Sequence, residues 1–272
     1  MGRLTPERMH FSGPTWGGLY PRPPHFYRGS RNLLVSYATE LEPVLDLLPE
    51  EVEPLADPPR VLLWFQDTPF STFGPHQGAY GFIECRFRGA PYFFEAFLWV
   101  SSDSALAAGR ELWGDSKKLA DIRVEPVCEE VAAFLERPAG TLIAAARMRL
   151  ERFGDPDSVP SYPGLCLKII PSAEPGRPPE VLQLVRDDIT ASPVVGSDGR
   201  AEVYTGAASL RLGTAGALDP LATLVPRGAV QATYALMHIE LGYGTVLKDY
   251  RGQPQGVLAS VDGAGAGAVA AS

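Results

Sequence analysis

Residues 109–119 read Gly109-Arg110-Glu111-Leu112-Trp113-Gly114-Asp115-Ser116-Lys117-Lys118-Leu119, with two adjacent amines near the end. The chain carries 24 lysines and arginines, yet only four are lysines: Lys117, Lys118, Lys168 and Lys248. Elsewhere arginine supplies the positive charge, so a need for charge alone predicts arginine at 117 and 118 as well. An amine can release its proton and attack a carbonyl, which a guanidinium effectively cannot. Taken by itself, the pair still fits a solvated patch on a loop, by ordinary surface statistics. The surrounding chain has to decide between the two.

Working outward, Asp103–Leu112 reads as a short helix capped by Ser101 or Ser102 and broken by Gly114, which leaves the lysines in extended chain. Before it, Tyr80–Phe87 and Tyr92–Val100 read as a hairpin around Arg88-Gly89-Ala90-Pro91. The second of these, YFFEAFLWV, is apolar on both faces except at Glu95, so both sides are expected to be covered. Asn32–Tyr37 and Arg60–Phe65 read as strands. Glu40–Leu48 reads as a helix with Leu41, Val44, Leu45 and Leu48 on one face. Asp67–Gly78 reads as a loop broken by Pro69, Gly74, Pro75 and Gly78. Further strands are expected at Glu129–Glu136 and Thr141–Arg152, where the alanines and arginines leave a helix as the alternative, and at Gly164–Pro171, Glu180–Ile189, Glu202–Leu212 and Gln231–Leu241. Residues 1–30, rich in Gly, Pro and aromatics, read as an extended arm held by Trp16, Tyr20 and Phe26. Residues 31–255 form the expected single domain, and 256–272 a flexible Gly/Ala-rich tail. Many strands with few, short helices imply a mainly β, α+β fold: an antiparallel sheet closed into a barrel.

At 45% hydrophobic residues the 272-residue chain can bury a large core. A net charge of −8 argues against nucleic acid or an anionic membrane as partner. The three cysteines, Cys85, Cys128 and Cys166, are odd in number and show no CxxC, which fits a reducing compartment. His10, His25, His76 and His238 show no metal-ligand spacing, so no metal and no other cofactor is expected. No secretory signal is visible and no apolar run is long enough to span a bilayer, so the expectation is a cytoplasmic protein.

The stretch GRELWGDSKKL resembles the lysine motif of the acetoacetate decarboxylase family. In order along the chain, NLLVSYATE (Asn32–Glu40), Asp67-Thr68 and LKIIP (Leu167–Pro171) resemble further segments of that family, so the resemblance covers roughly residues 20 to 250. It implies a β-barrel assembled into homo-oligomers, with Lys117 as a Schiff-base nucleophile facing a cavity and Lys118 as its electrostatic neighbour. The implied substrate is a small-molecule keto acid. Its carboxylate needs a bidentate cation, and the family's arginine near the first strand corresponds to Arg31, with Arg28 as the alternative.

A lysine with an ordinary pKa of ~10.4 is almost wholly protonated at neutral pH. Bringing it to about 7 requires roughly 4 to 5 kcal/mol of differential stabilisation. Two lysines in extended chain point to opposite faces. At ~7 Å and an effective dielectric of ~20, their repulsion supplies roughly 2 kcal/mol. Burial of Lys117 is therefore expected to contribute the larger part. Activation by desolvation or by a neighbouring cation is the behaviour of acetoacetate decarboxylase itself, and here it is what the resemblance implies.

The sequence departs from the family pattern at its carboxylates. Val61 stands where the family has one active-site glutamate, and Gly78, beside Gln77, where it has the other. Ser116 replaces the proline before the lysines. These changes point away from acetoacetate itself as substrate. Glu95, an acid in an otherwise apolar strand, is the candidate replacement, since an unpaired buried carboxylate is costly; an ion pair with Arg86 is the structural alternative. Three functions remain open: decarboxylation of a β-keto acid, aldol addition and dehydration joining an α-keto acid to an aldehyde, or non-catalytic binding of a hydrophobic carbonyl compound.

Overall fold

The computed structural model describes residues 2–251 except Pro160 and Ala215. The expected tail at 256–272 lies outside the described residues. In chain order the strands are β1 (His25–Ala38), β2 (Glu53–Pro54), β3 (Arg60–Thr68), β4 (Phe70–Ser71), β5 (His76–Phe87), β6 (Ala90–Val100), β7 (Lys117–Leu119), β8 (Asp121–Val127), β9 (Glu130–Glu136), β10 (Leu142–Arg149), β11 (Arg152–Phe153), β12 (Gly164–Ile170), β13 (Val181–Arg186), β14 (Ile189–Pro193), β15 (Val203–Thr205), β16 (Ala208–Leu212), β17 (Arg227–Leu241) and β18 (Thr245–Asp249). Two short α-helices, α1 (Leu41–Leu45) and α2 (Asp103–Ala108), interrupt them.

The expected closed barrel does not form among the described residues. One long sheet runs β11-β15-β17-β1-β3-β5-β6-β12-β13-β18 and ends in two edges. A second sheet, β16-β10-β9-β8, stands apart. The reason is visible at Glu202–Leu212, which the sequence suggests as a single strand. It breaks at Gly206, where a Cβ would collide with the Arg149 carbonyl. Its halves, β15 and β16, join different sheets.

Each face of the long sheet buries its own core. Leu33, Val35, Val61, Leu63 and Phe65 pack with Ile122, Leu135, Ala144 and Met148 of the small sheet. On the other face Leu34, Leu62, Phe82 and Phe93 pack with Ala107, Ala108, Trp113 and Met237. This explains the two-sided apolar character of β6, whose Phe94 and Phe93 serve opposite cores.

Several elements extend beyond their sequence signals. β1 starts at His25 rather than Asn32, because Gly29 at φ +62° absorbs a bulge between Tyr27 and Ser30. The loop expected over Asp67–Gly78 is mostly strand. The β5–β6 hairpin turns on Arg88 and Gly89 alone, both at positive φ, the two-residue geometry that matches strand twist. The helix expected at Glu40–Leu48 shortens to α1, with Leu41 and Leu45 exposed and only Val44 and Leu48 buried. In the arm, Tyr20 is buried and its hydroxyl donates to Glu111 at 2.6 Å. Trp16, expected to hold the arm, is 85% exposed. Phe26 belongs to β1, beneath the Arg28 guanidinium.

The lysine motif is positioned by a helix end. Ser102 accepts from the Ala105 amide to start α2. Gly109–Trp113 follows as one wide π-helical turn, closed by the Gly114 amide donating to the Gly109 carbonyl. Gly114 sits at φ +93°, and a Cβ there would overlap the Lys168 backbone. Left-handed strain and overpacking then add, so Gly114→Ala is expected to lower stability by about 3 kcal/mol. Urea denaturation measures this; a loss smaller than about 1 kcal/mol would show that the turn relaxes freely.

Candidate active site

β7 pairs in parallel with β6, placing Lys117 beside Leu98 and Lys118 beside Trp99. Side chains alternate along extended chain, so the two amines go opposite ways. Lys117 is 6% exposed and lines a cavity of about 50 Å³ with Tyr27, Trp64, Gln66, Tyr80, Glu95 and Asp187. Lys118 turns to the far face, where its amine meets Asp219 at 3.1 Å and the Leu218 carbonyl. Asp219 also accepts from Trp99 Nε1 at 2.9 Å and from Arg137 at 2.5 Å.

This geometry corrects the expected activation of Lys117. Lys118 is paired with Asp219, and its amine lies away from the cavity. The neighbour that matters is Asp115, whose Oδ2 lies 2.7 Å from Lys117 Nζ. Two residues apart in extended chain, the two side chains share one face. Burial, the largest single influence, pushes the lysine down, but the attraction and hydrogen bond of Asp115, with Tyr27 and Tyr80 beside it, together outweigh burial and hold the ammonium above the ordinary lysine range. The free protein thus stores Lys117 as a buried ion pair. Gly109 makes room for it: a Cβ there would sit 2.5 Å from Asp115 Oδ2 and 2.7 Å from Lys117 Nζ. Arg110 supports the strand by donating to the Lys117 carbonyl at 3.3 Å.

Glu95 lines the same cavity, as do two residues that carried no sequence signal, Asp187 and Tyr80. Arg86 is not its partner. Asp187 follows β13, and its Oδ1 accepts from the Gly164 amide at 2.6 Å. That bond favours an ionised Asp187. Burial raises Glu95 well above the carboxylate range, and the charges of Asp115 and Asp187 push it further. Burial likewise raises Asp187, to about 6. Glu95 and Asp187 therefore share a proton, because two buried carboxylates in contact cannot both ionise cheaply. Glu95 is the holder, donating to Asp187.

A β-bulge aims Glu95 inward. Phe82 pairs with Glu95 while Gly81 pairs with Phe97, leaving Ala96 as the extra residue. Ser116 steadies the bulge by donating toward the Ala96 carbonyl at 3.0 Å and the Glu95 carbonyl at 3.3 Å. Proline has no hydroxyl for this contact, so Ser116 and the inward Glu95 belong together. Val61 and Gly78, the two positions singled out in the sequence, lie in different surroundings. Val61 faces the opposite core. Gly78 leaves space taken by the Tyr80 hydroxyl, which donates to Gln66 Oε1 at 3.1 Å.

Arg31 is not brought to this cavity. It pairs with Asp67 at 3.4 Å, and its side chain is 44% exposed. Arg28 is exposed and stacks on Phe26. His25 lies behind the site against Phe73 and Trp113. Burial, then the Lys117 charge, brings it down to about 4, so it is neutral. Glu95, Cys166 and Asp187 each offer a ligand atom within 4.8 Å of one another, the one such group of three among the described residues. Their atoms are already hydrogen-bonded: Glu95 to Asp187, Asp187 to Gly164, and the Cys166 thiol toward Asp115 Oδ1 at 3.5 Å.

The family model described as acetoacetate decarboxylase (ADC) matches residues 9–251. The chain belongs to the acetoacetate decarboxylase family. It is 30% identical over 261 residues to the acetoacetate decarboxylase of Acidiphilium cryptum (strain JF-5), covering 92% of this chain and 99% of that protein. The crystal structure of acetoacetate decarboxylase from Legionella pneumophila subsp. pneumophila str. Philadelphia 1 superposes with a TM-score of 0.79 at 26% identity, covering 90% of this chain and 95% of that one. The enduracididine biosynthesis enzyme MppR, complexed with the condensation product of pyruvate and imidazole 4-carboxaldehyde, shares the fold with a TM-score of 0.72 at 20% identity, covering 92% and 100%. Membership places the chain among decarboxylase-like enzymes of small molecules. Among the described residues no helix is long and apolar enough to cross a membrane.

The shared proton has a measurable consequence. Asp187 carries a pKa raised from 3.8 to about 6. The unfolded chain ionises first as pH rises, so stability present below about pH 4 is lost on passing through about 6. Two units correspond to roughly 3 kcal/mol. Asp187→Asn, which can still accept from Gly164, is expected to flatten this decline in chemical denaturation at pH 4, 5, 6 and 7. An unchanged profile would mean that Asp187 is not the group whose raised pKa drives the decline.

Proposed function

We propose that the protein is a Schiff-base-forming, lysine-dependent carbon–carbon lyase that decarboxylates a β-keto acid, with Lys117 as nucleophile. The observation that carries this reading is the placement of the buried Lys117–Asp115 pair in one small cavity with the protonated acid Glu95.

The ion pair contains its own base. As a ketone enters, Asp115 takes a proton from the Lys117 ammonium and the freed Nζ adds to the carbonyl carbon. Glu95 gives its proton to the carbonyl oxygen and recovers one from the added nitrogen, forming a neutral carbinolamine. Asp115 passes its proton to the departing hydroxyl, water leaves, and an iminium remains. The bond to the carboxylate then breaks, carbon dioxide departs, and its electron pair enters the iminium to give an enamine. A proton returned to the α-carbon gives the product iminium, and water releases the ketone and the amine. Glu95 and Asp187 supply the proton store these steps require.

Charge favours decarboxylation over aldol addition. No arginine among the described residues lines the cavity. A β-keto carboxylate left without a cation is poorly stabilised in the ground state, which favours its loss as neutral carbon dioxide. An aldolase-dehydratase must retain the carboxylate of its α-keto acid, and a cation is the natural means of holding it. The homo-oligomer and the role of Lys118 as a second cationic group belong to the same family reading; here Lys118 acts as an anchor for Asp219.

Borohydride trapping with a keto compound is expected to add mass to Lys117 alone. Lys117→Arg abolishes trapping, and Lys118→Ala leaves its pH midpoint in place. Asp115→Asn removes the partner while burial remains, so the midpoint moves down in pH as the plateau rate falls. Trapping on Lys118, or an upward move in Asp115→Asn, would sink the assignment. Glu95→Gln can still donate to Asp187 and is expected to keep its stability while turnover falls by about two orders of magnitude or more; full activity would make Glu95 structural.

A further inference from the structure

The lysine cavity is too small for a whole substrate. At about 50 Å³ it accommodates the reacting carbonyl and one small substituent. A second cavity of about 320 Å³ adjoins it, and the two share Trp64, Phe82, Glu95 and Ile189 as walls. An apolar cavity of ~150 Å³ accepts a benzene ring, so the second chamber holds a ring with several carbons to spare.

Aromatic rings lead from one chamber to the other. Tyr80 stacks on Phe82 at 6.0 Å, Phe82 meets Phe93 at 5.6 Å, and Phe93 meets Tyr162 at 5.0 Å. Met237 and Ile189 complete the apolar wall, and Asp157 is the charged residue added by the outer chamber. No lysine or arginine among the described residues lines this chamber. It therefore suits an uncharged tail and disfavours an anionic one.

Resting on the decarboxylase reading above, we infer that the substrate is a 3-oxo acid whose ketone carries an uncharged aromatic or long alkyl tail, seated in the outer chamber along the Phe82–Phe93–Tyr162 rings.

Carbon dioxide release is measured with 3-oxobutanoate, 3-oxohexanoate, 3-oxo-5-phenylpentanoate and the dicarboxylate 3-oxohexanedioate. The expected result is a kcat/KM rising by roughly ten-fold or more from the methyl to the phenylethyl compound, with the dicarboxylate well below 3-oxohexanoate. Ala191 lines the outer chamber alone and is exposed, so Ala191→Trp fills that chamber without disturbing the core. The variant is expected to lose the gain from the tail while keeping the turnover of 3-oxobutanoate. Equal kcat/KM across the tails, or an equal gain in Ala191→Trp, overturns the inference. A second readout does not depend on the lysine chemistry: 5-phenylpentanamide, neutral and without a reactive carbonyl, is titrated against tryptophan fluorescence. Saturable binding that Ala191→Trp weakens supports the chamber even if no compound turns over, in which case only the decarboxylase reading fails. Absence of binding, or equal binding to both proteins, overturns the inference whatever the lysine does.

Discussion

The buried contact between Lys117 and Asp115 is the constraint on which the rest of the site depends. Two charges withdrawn from water persist only if each satisfies the other, and removal of one partner alone typically costs about 3–5 kcal/mol. The fold meets this demand through backbone features rather than further charges. The π-helical turn over Gly109–Trp113 and the left-handed Gly114 redirect the chain from helix to strand just before Asp115. The parallel pairing of β7 with β6 then fixes which amine enters the cavity. Gly109 leaves the space that both side chains occupy.

The same constraint sets the protonation of the neighbouring acids. Asp115 balances Lys117, so no positive charge is left over for Glu95 and Asp187. Neither histidine near the site can provide one: burial lowers both His25 and His76, and Lys117 lowers them further. One of the two acids must therefore keep its proton. The Gly164 amide, donating to Asp187, decides that Glu95 is the one. A proton donor that persists at neutral pH thus follows from charge counting and one backbone amide.

Much of this was legible in sequence, and the residues show where legibility stopped. Scarcity of lysine singled out Lys117 and Lys118, and alternation sent them to opposite faces. The same alternation, applied two residues earlier, places Asp115 beside Lys117, but Asp115 directly follows the helix-ending Gly114 and precedes the strand, so the sequence does not show that extended chain already begins there. Glu95 stood out because an acid in a strand apolar on both faces is expensive. Asp187 gave no comparable signal, since Asp187-Asp188 after a strand reads as an ordinary polar turn. Its importance arises from the approach of Gly164, 23 residues away in sequence. Arg31 lies away from the cavity for a related reason. Motif correspondence fixes a position on β1, but the side of the sheet depends on the bulge at Gly29, and the local register pairs Arg31 with Asp67. Closure of the sheet was equally out of reach, because the division of Glu202–Leu212 turns on the contact of Gly206 with Arg149.

A lysine held as an ion pair looks poorly prepared for nucleophilic work, yet the arrangement reconciles burial with reactivity. A lone buried amine at low pKa would stay permanently reactive toward any small carbonyl that entered. In the proposed reaction the free amine arises only when Asp115 takes the proton, and that transfer is assisted when an entering substrate displaces water and lowers the polarity around the pair. In a less polar surrounding the separated charges lose solvation, while the neutral amine and carboxylic acid lose little. An apolar tail that fills the chamber beyond Phe82 and excludes water from Glu95 would therefore favour the nucleophilic form of Lys117. In the proposed reaction the walls that select the tail also help release the amine.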